Sequence, residues 1–137
     1  MQGSATRPLM FDVRGAMKRD LNLVREILLW ATAQEAAGLD GNPSLPGYTE
    51  DEIAHHVHLM WQARLVDALD ITTNNSAGPS ALLTSVTWAG HDFIDAARDN
   101  TIWNKTKSKV LASGLSFTFE LLKEVLVSAA KGPLGLP

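Results

Sequence analysis

The sequence has no cysteine among its 137 residues. Disulfides, thiolate nucleophiles and cysteine-held zinc or iron–sulfur clusters are therefore excluded. No apolar run approaches the roughly 18 residues that a membrane span needs. The first ten residues carry no apolar stretch of the kind a secretory signal requires, which points to the cytoplasm. Cations are few: 12 lysines and arginines stand against 15 acids, for a net charge of −3. The chain as a whole is thus no basic polyanion binder. A glycine-rich phosphate loop, a nucleophile elbow and a Walker lysine are all missing. These absences point away from an enzyme and from any cofactor.

What is present is ordinary globular material, with 45% hydrophobic and 20% charged residues. A chain of this length fits one domain and can bury roughly two-thirds of its unfolded surface. Gly3, Pro8 and Gly15 interrupt residues 1–16, which read as a flexible N-terminal extension. Residues 17–33 form the clearest helix, with Leu21, Val24, Ile27, Leu28 and Ala31 at helical spacing. Gly38 and Asp40-Gly41-Asn42-Pro43 stop it, and Pro43, Pro46 and Gly47 make the next stretch a loop. Thr49-Glu50-Asp51-Glu52 is a capping box that opens a second helix. Ile53, Ala54, Val57, Met60 and Trp61 form its buried stripe, and Asp51, His55, His58 and Gln62 the opposite one.

Residues 65–72 read as a strand with Leu65, Leu69 and Ile71 on one face. A polar turn over 73–80 leads to a second strand over 82–87. Thr87 then caps a helix running to about Asp99, in which Gly90 allows close packing. A fourth helix follows from Ile102 until Gly114 ends it, and a fifth spans 117–131. Trp30, Trp61, Trp88 and Trp103 all fall on or beside apolar stripes, so core packing is their expected role. This order predicts a mainly helical α+β fold: a winged helix-turn-helix-like domain over 17–113 with one β-hairpin. A C-terminal helical extension over 114–131 either packs on that domain or makes a homodimer, and 132–137 is a tail. The helix before the hairpin is the candidate recognition helix and the hairpin the wing. The short helix that usually precedes a recognition helix is missing from 38–48, shortened, or replaced by a strand.

Several stretches carry a resemblance. They are the run from Met17-Lys18-Arg19-Asp20 to Leu29, then Gly47-Tyr48-Thr49-Glu50-Asp51-Glu52-Ile53-Ala54. Thr87-Trp88-Ala89-Gly90-His91-Asp92-Phe93-Ile94-Asp95 and Arg98-Asp99-Asn100-Thr101-Ile102-Trp103 follow. Together they resemble a family of bacterial and phage-borne proteins that carries only a domain-of-unknown-function label. The resemblance covers about 17–127. It implies a winged-helix-like fold and a prophage setting, and it brings no known activity. In one departure, Arg64 stands where the family pattern has a glycine suited to a left-handed helix cap. In another, His58 stands where the family often has a basic residue.

The fold points first to a DNA-binding transcriptional regulator acting on double-stranded DNA, and the resemblance implies that it is phage-related. Under that reading His55, His58 and Gln62 face base edges, while Arg19, Asn75 and Lys105 contact phosphates. Arg7, Arg14 and Lys18 extend a basic arm, and Lys107 and Lys109 extend the cluster at Lys105. Against it, residues 49–63 contain no lysine or arginine, and their first turn holds three acids. The alternative, of another class, is a non-enzymatic protein-interaction module on the same scaffold. His55 and His58 have helical ligand spacing but lack a third partner, so no metal site is expected. Asp92, Asp95 and Asp99 share a helical face and read as a solvated surface.

Overall fold

The computed structural model describes residues 19–112, together with Glu124 and Leu126. The expected N-terminal extension and nearly all of the C-terminal helix and tail lie outside these residues. In chain order the elements are α1 (Leu21–Gln34), α2 (Glu50–Gln62), β1 (Val66–Asp70), β2 (Ala81–Val86), α3 (Trp88–Ala97) and α4 (Asn100–Ala112). A single 3-10 turn, Glu35–Ala37, closes α1. The described residues thus form a mainly helical α+β fold with one two-stranded antiparallel sheet. The core gathers Leu23, Val24, Ile27 and Leu28 of α1, Ile53, Val57 and Met60 of α2, Leu83 of β2, and Phe93 and Ile94 of α3. Trp103 of α4 and the helical residue Leu126 complete it.

The start of α1 comes later than its apolar period implies. Asp20 is the N-cap: its carboxylate accepts the Asn22 and Leu23 N–H groups at 3.0 and 3.2 Å. The backbone N–H of Asp20 donates to His56 Nε2 at 2.9 Å. His56, fully buried on α2, donates from Nδ1 to the Glu52 carbonyl at 2.8 Å. Glu52 in turn closes the capping box, accepting the Thr49 N–H at 2.8 Å and donating its own N–H to the Thr49 hydroxyl at 3.0 Å. One imidazole therefore joins the first turns of both helices. It serves as donor at one nitrogen and acceptor at the other, so only the neutral ring fits. Burial holds its pKa below the ordinary value of 6.5, and the nearby His55 acts in the same direction.

The exit from α2 converges on two residues. Arg64 takes φ 65°, the left-handed region. Its N–H bonds to the Trp61 carbonyl and that of Leu65 to the Met60 carbonyl, both at 2.9 Å, which is a Schellman cap. Leu65 is buried as the apolar contact of that cap, not as a strand residue. The expected strand face is corrected accordingly. Val66 and Ala68 turn inward, whereas Leu69 and Ile71 are 58% and 40% exposed. A bulge between Asp67 and Ala68 shifts the register, pairing Asp67 with Ser85 and Ala68 with Leu83. The hairpin closes at its base where Thr87 donates from its N–H to the Leu65 carbonyl at 3.1 Å and from its hydroxyl to the Arg64 carbonyl at 2.6 Å. Gly90 packs on the same carbonyl: a β-carbon there would clash with the Leu65 oxygen and with Val86.

The segment between the 3-10 turn and α2 forms neither a helix nor a strand. In its place, Asn42 spans the outer edge of β2. Its Nδ2 donates to the Ala81 carbonyl at 2.9 Å and its Oδ1 accepts the Leu83 N–H at 2.8 Å. One side-chain amide thus supplies the two hydrogen bonds that a neighbouring strand would have made. At the other end, α4 is fastened to α1 and α3. Trp103 Nε1 donates to Asn22 Oδ1 at 3.0 Å, and the indole stands edge-on to Phe93. Arg25 reaches the Ala97 and Arg98 carbonyls at 2.6 and 2.8 Å, satisfying the end of α3. Trp88 departs from the expected core role and is 85% exposed.

Three outcomes follow from this packing. Arg64→Gly relieves the left-handed strain and raises stability by about 1 kcal/mol in urea unfolding. Gly90→Ala lowers it by about 3 kcal/mol, because the obstacle is backbone. Below about pH 6.5 the unfolded chain takes up a proton at residue 56 that the folded chain resists, so stability falls as pH drops through that range. His56→Gln removes part of this fall. The same pH slope in both proteins would show that the ring is not the linked group.

Candidate functional site

The expected recognition surface is the side of α2 that carries His55, His58 and Gln62. In the structure that side lies largely under the hairpin. His55 donates from Nδ1 to the Pro79 carbonyl at 2.8 Å. The His58 side chain is only 13% exposed, with Nε2 at 4.0 Å from Asp70 Oδ2 and the ring edge-on to Trp61. Its Nδ1 is buried and has no hydrogen-bond partner among the described residues. Asp70 is held below the usual carboxylate range by the Thr72 backbone N–H, then by the Thr72 hydroxyl, with His58 adding a smaller attraction. Gln62, at the last turn, is exposed. Two of the three proposed base-reading side chains are thus engaged with the hairpin.

The proposed phosphate contacts come from three separate segments of the chain. Asn75 is exposed at the hairpin tip, in a turn where the Thr73 hydroxyl accepts its N–H at 3.2 Å. Lys105 is exposed on α4, which is anchored to α1 and α3. Arg19 is exposed just before the α1 cap. Lys107 is folded back, donating to Asn22 Oδ1 at 2.7 Å and lying 5.5 Å from the Trp103 ring centre. Arg7, Arg14 and Lys18 lie outside the described residues. The acidic residues of α3 stand on a solvated face. Asp95 is 3.5 Å from Arg98, while Asp99 caps α4 by accepting the Ile102 N–H at 2.9 Å. His91 reaches Glu35 at 3.1 Å and links α3 to the turn after α1. Among the described residues no group of three or more histidines and acids is arranged to hold a metal ion. No helix among them is long and apolar enough to cross a membrane.

Beside α2 there is an open groove of about 510 Å³ that sequence reasoning did not find. Its walls are the Asp40–Ser44 loop, the first turn of α2 and the neck of the hairpin. Pro43, Ala54, Ile71 and Leu82 give it apolar lining, and Asp40, Glu50 and Asp51 give it carboxylates. Asn42 is the tether that brings the loop to β2 and so forms one wall. In the sequence, Asp40-Gly41-Asn42-Pro43 shows only as a helix stop. Nothing in its spacing specifies which backbone groups the amide will meet.

The local charge follows from the same elements. From Thr49 to Gly90, the helix and hairpin expose four carboxylates, Glu50, Asp51, Asp67 and Asp70, and one guanidinium, that of Arg64, while Glu52 is buried. A surface of this sign repels nucleic-acid phosphates and attracts cations.

A family profile described as "Hypothetical protein (DUF2513)" matches residues 18–116. An "Uncharacterized protein" of Haemophilus influenzae is 32% identical over 110 residues, covering 80% of this chain and 92% of that one. No solved structure matches the chain. The matched residues take in every described helix and strand from α1 to α4, so this chain belongs to the DUF2513 family.

Proposed function

We propose that this chain is a non-enzymatic protein-interaction module on a winged-helix-like scaffold, and that its α2 face does not read DNA. The order helix, helix, hairpin, helix supports the scaffold assignment. The observation that carries the functional reading is the charge exposed by the helix and hairpin: four carboxylates, Glu50, Asp51, Asp67 and Asp70, against Arg64 alone. Phosphate neutralisation by lysine and arginine supplies most of the affinity of DNA-binding proteins, and this surface has almost none to offer. The engagement of His55 and His58 with the hairpin supports the same reading. In the prophage setting that the family resemblance implies, such a module acts by contacting another protein. Leu126 is buried in the core of its own chain, which favours a monomer over a homodimer joined through that residue.

One observation favours a DNA-binding regulator instead: Lys105 and Lys109 are both exposed on α4. Retention on a mixed duplex-DNA pool at 50 and 200 mM salt, with molecular mass recorded in the same buffers, separates the two. The expected result is a monomer with no retention at either salt. Salt-sensitive retention that is lost in Lys105→Glu/Lys109→Glu would establish DNA binding through α4. Retention lost in His58→Ala/Gln62→Ala would restore α2 as the reading element.

A further inference from the structure

The groove beside α2 allows the partner's chemistry to be specified, and this step rests on the interaction-module reading above. We propose that the groove takes an extended segment of a partner protein in which aliphatic side chains are flanked by lysine or arginine. The volume of about 510 Å³ lies within the range of sites that enclose a small ligand or a few side chains. Its apolar surface continues beyond the groove. Leu82, in the lining, pairs across the ladder with Leu69, which is 58% exposed. Ile71, also in the lining, is 40% exposed. Two of the three large apolar side chains exposed among the described residues therefore meet at this one place. Single exposed apolar residues are ordinary, but a contiguous strip leading into a groove marks a contact surface.

The carboxylates decide the sign of the occupant. Asp40, Glu50 and Asp51 line the groove, and none of them forms an ion pair with a described residue. Glu50 and Asp51 suit the first turn of α2, where acids favour the helix dipole, whereas Asp40 lies outside any helix and has no such role. A cationic segment would bring three unmatched negative charges a partner at once, whereas an acidic or phosphorylated one would be repelled. Backbone pairing along the β2 edge is closed to it, because Asn42 already holds the Ala81 carbonyl and the Leu83 N–H. Recognition is therefore by side chains: aliphatic groups against Ala54, Ile71 and Leu82, ammonium or guanidinium groups against the carboxylates.

The test uses the full chain and a fluorescein-labelled decapeptide of alternating lysine and leucine, with a glutamate–leucine peptide as counterpart. Fluorescence anisotropy is read at 50 and 500 mM salt. The lysine–leucine peptide is expected to bind in the micromolar range, more weakly at high salt, and the glutamate peptide not to bind. Asp51→Lys and Asp40→Lys each weaken binding at least tenfold. Asp95→Lys, the same charge change on α3, leaves it within twofold. Ser44→Trp, which fills the groove without altering charge, also weakens binding at least tenfold. Equal loss in Asp95→Lys would reduce the effect to bulk charge and overturn the proposal, as would equal binding of both peptides. Binding seen only when Arg7→Glu and Arg14→Glu are introduced would assign the groove to the chain's own N-terminal residues, again overturning it. Absence of peptide binding sinks the groove alone, since DNA retention is the separate result that sinks the interaction reading.

Discussion

A neutral imidazole in the core holds the two leading helices in register. His56 accepts from the Asp20 backbone, where α1 begins, and donates to the Glu52 carbonyl, one turn back along its own helix. Helix ends leave backbone donors unsatisfied, and a buried end needs a partner for each. Here the N-cap of one helix is satisfied by a side chain of the other. The capping box at Thr49 and Glu52, the cap at Asp20 and the ring between them behave as one connected polar unit. The Tyr48 hydroxyl adds to it, donating to Asp20 at 3.3 Å. Because that unit sits against Leu23, Ile53 and Val57, it also sets how the apolar stripes of α1 and α2 meet.

From that fixed helix pair the rest of the fold is carried by the exit of α2. The left-handed Arg64 reverses the chain, so Leu65 closes the helix cap and its carbonyl receives Thr87. The hairpin is therefore pinned at its base to the end of α2, while His55 and Pro79 pin its neck to the first turns of the same helix. With two tethers at opposite ends, the hairpin lies along α2. That is why the outward stripe of an isolated amphipathic helix becomes an interface within the domain. The same placement leaves the groove between the hairpin neck, the first turn of α2 and the Asn42 loop. The surface made in this way is apolar and acidic, a combination suited to a protein segment and unsuited to a phosphate backbone.

Local rules were enough for the apolar stripes of α1 and α2 and for two of the helix caps, though not for where α1 begins. The capping box, the Thr87 cap and the stripes Val24–Ile27–Leu28–Ala31 and Ile53–Val57–Met60 follow from spacing and from the chemistry of helix ends, and all are present. The departure at Arg64 stood out only through the family resemblance, which has a glycine there, and it left open whether the helix ends in the left-handed conformation that the structure shows. The strand face was not legible. Leu65, Leu69 and Ile71 share a parity, but Leu65 belongs to a helix cap and a bulge changes the register three residues later. A period-2 pattern has no means of recording where a strand begins or where it gains a residue.

The sequence by itself determined the composition of the domain, the existence of its helices with the caps at Thr49 and Thr87, the existence of one hairpin, and the scarcity of cations along residues 49–90. These are local properties: each depends on residues within a few positions of one another, and on charges that no folding step can remove. Only the tertiary structure decided that His55 and His58 face the hairpin, that Trp88 stands in solvent, that Asn42 serves as the missing strand, and that Asp40 joins Glu50 and Asp51 around one groove. Apart from the exposure of Trp88, these join groups from different segments of the chain. Which group a side chain meets at that separation depends on the summed turns of every element between, and hydrophobic spacing carries no record of that sum.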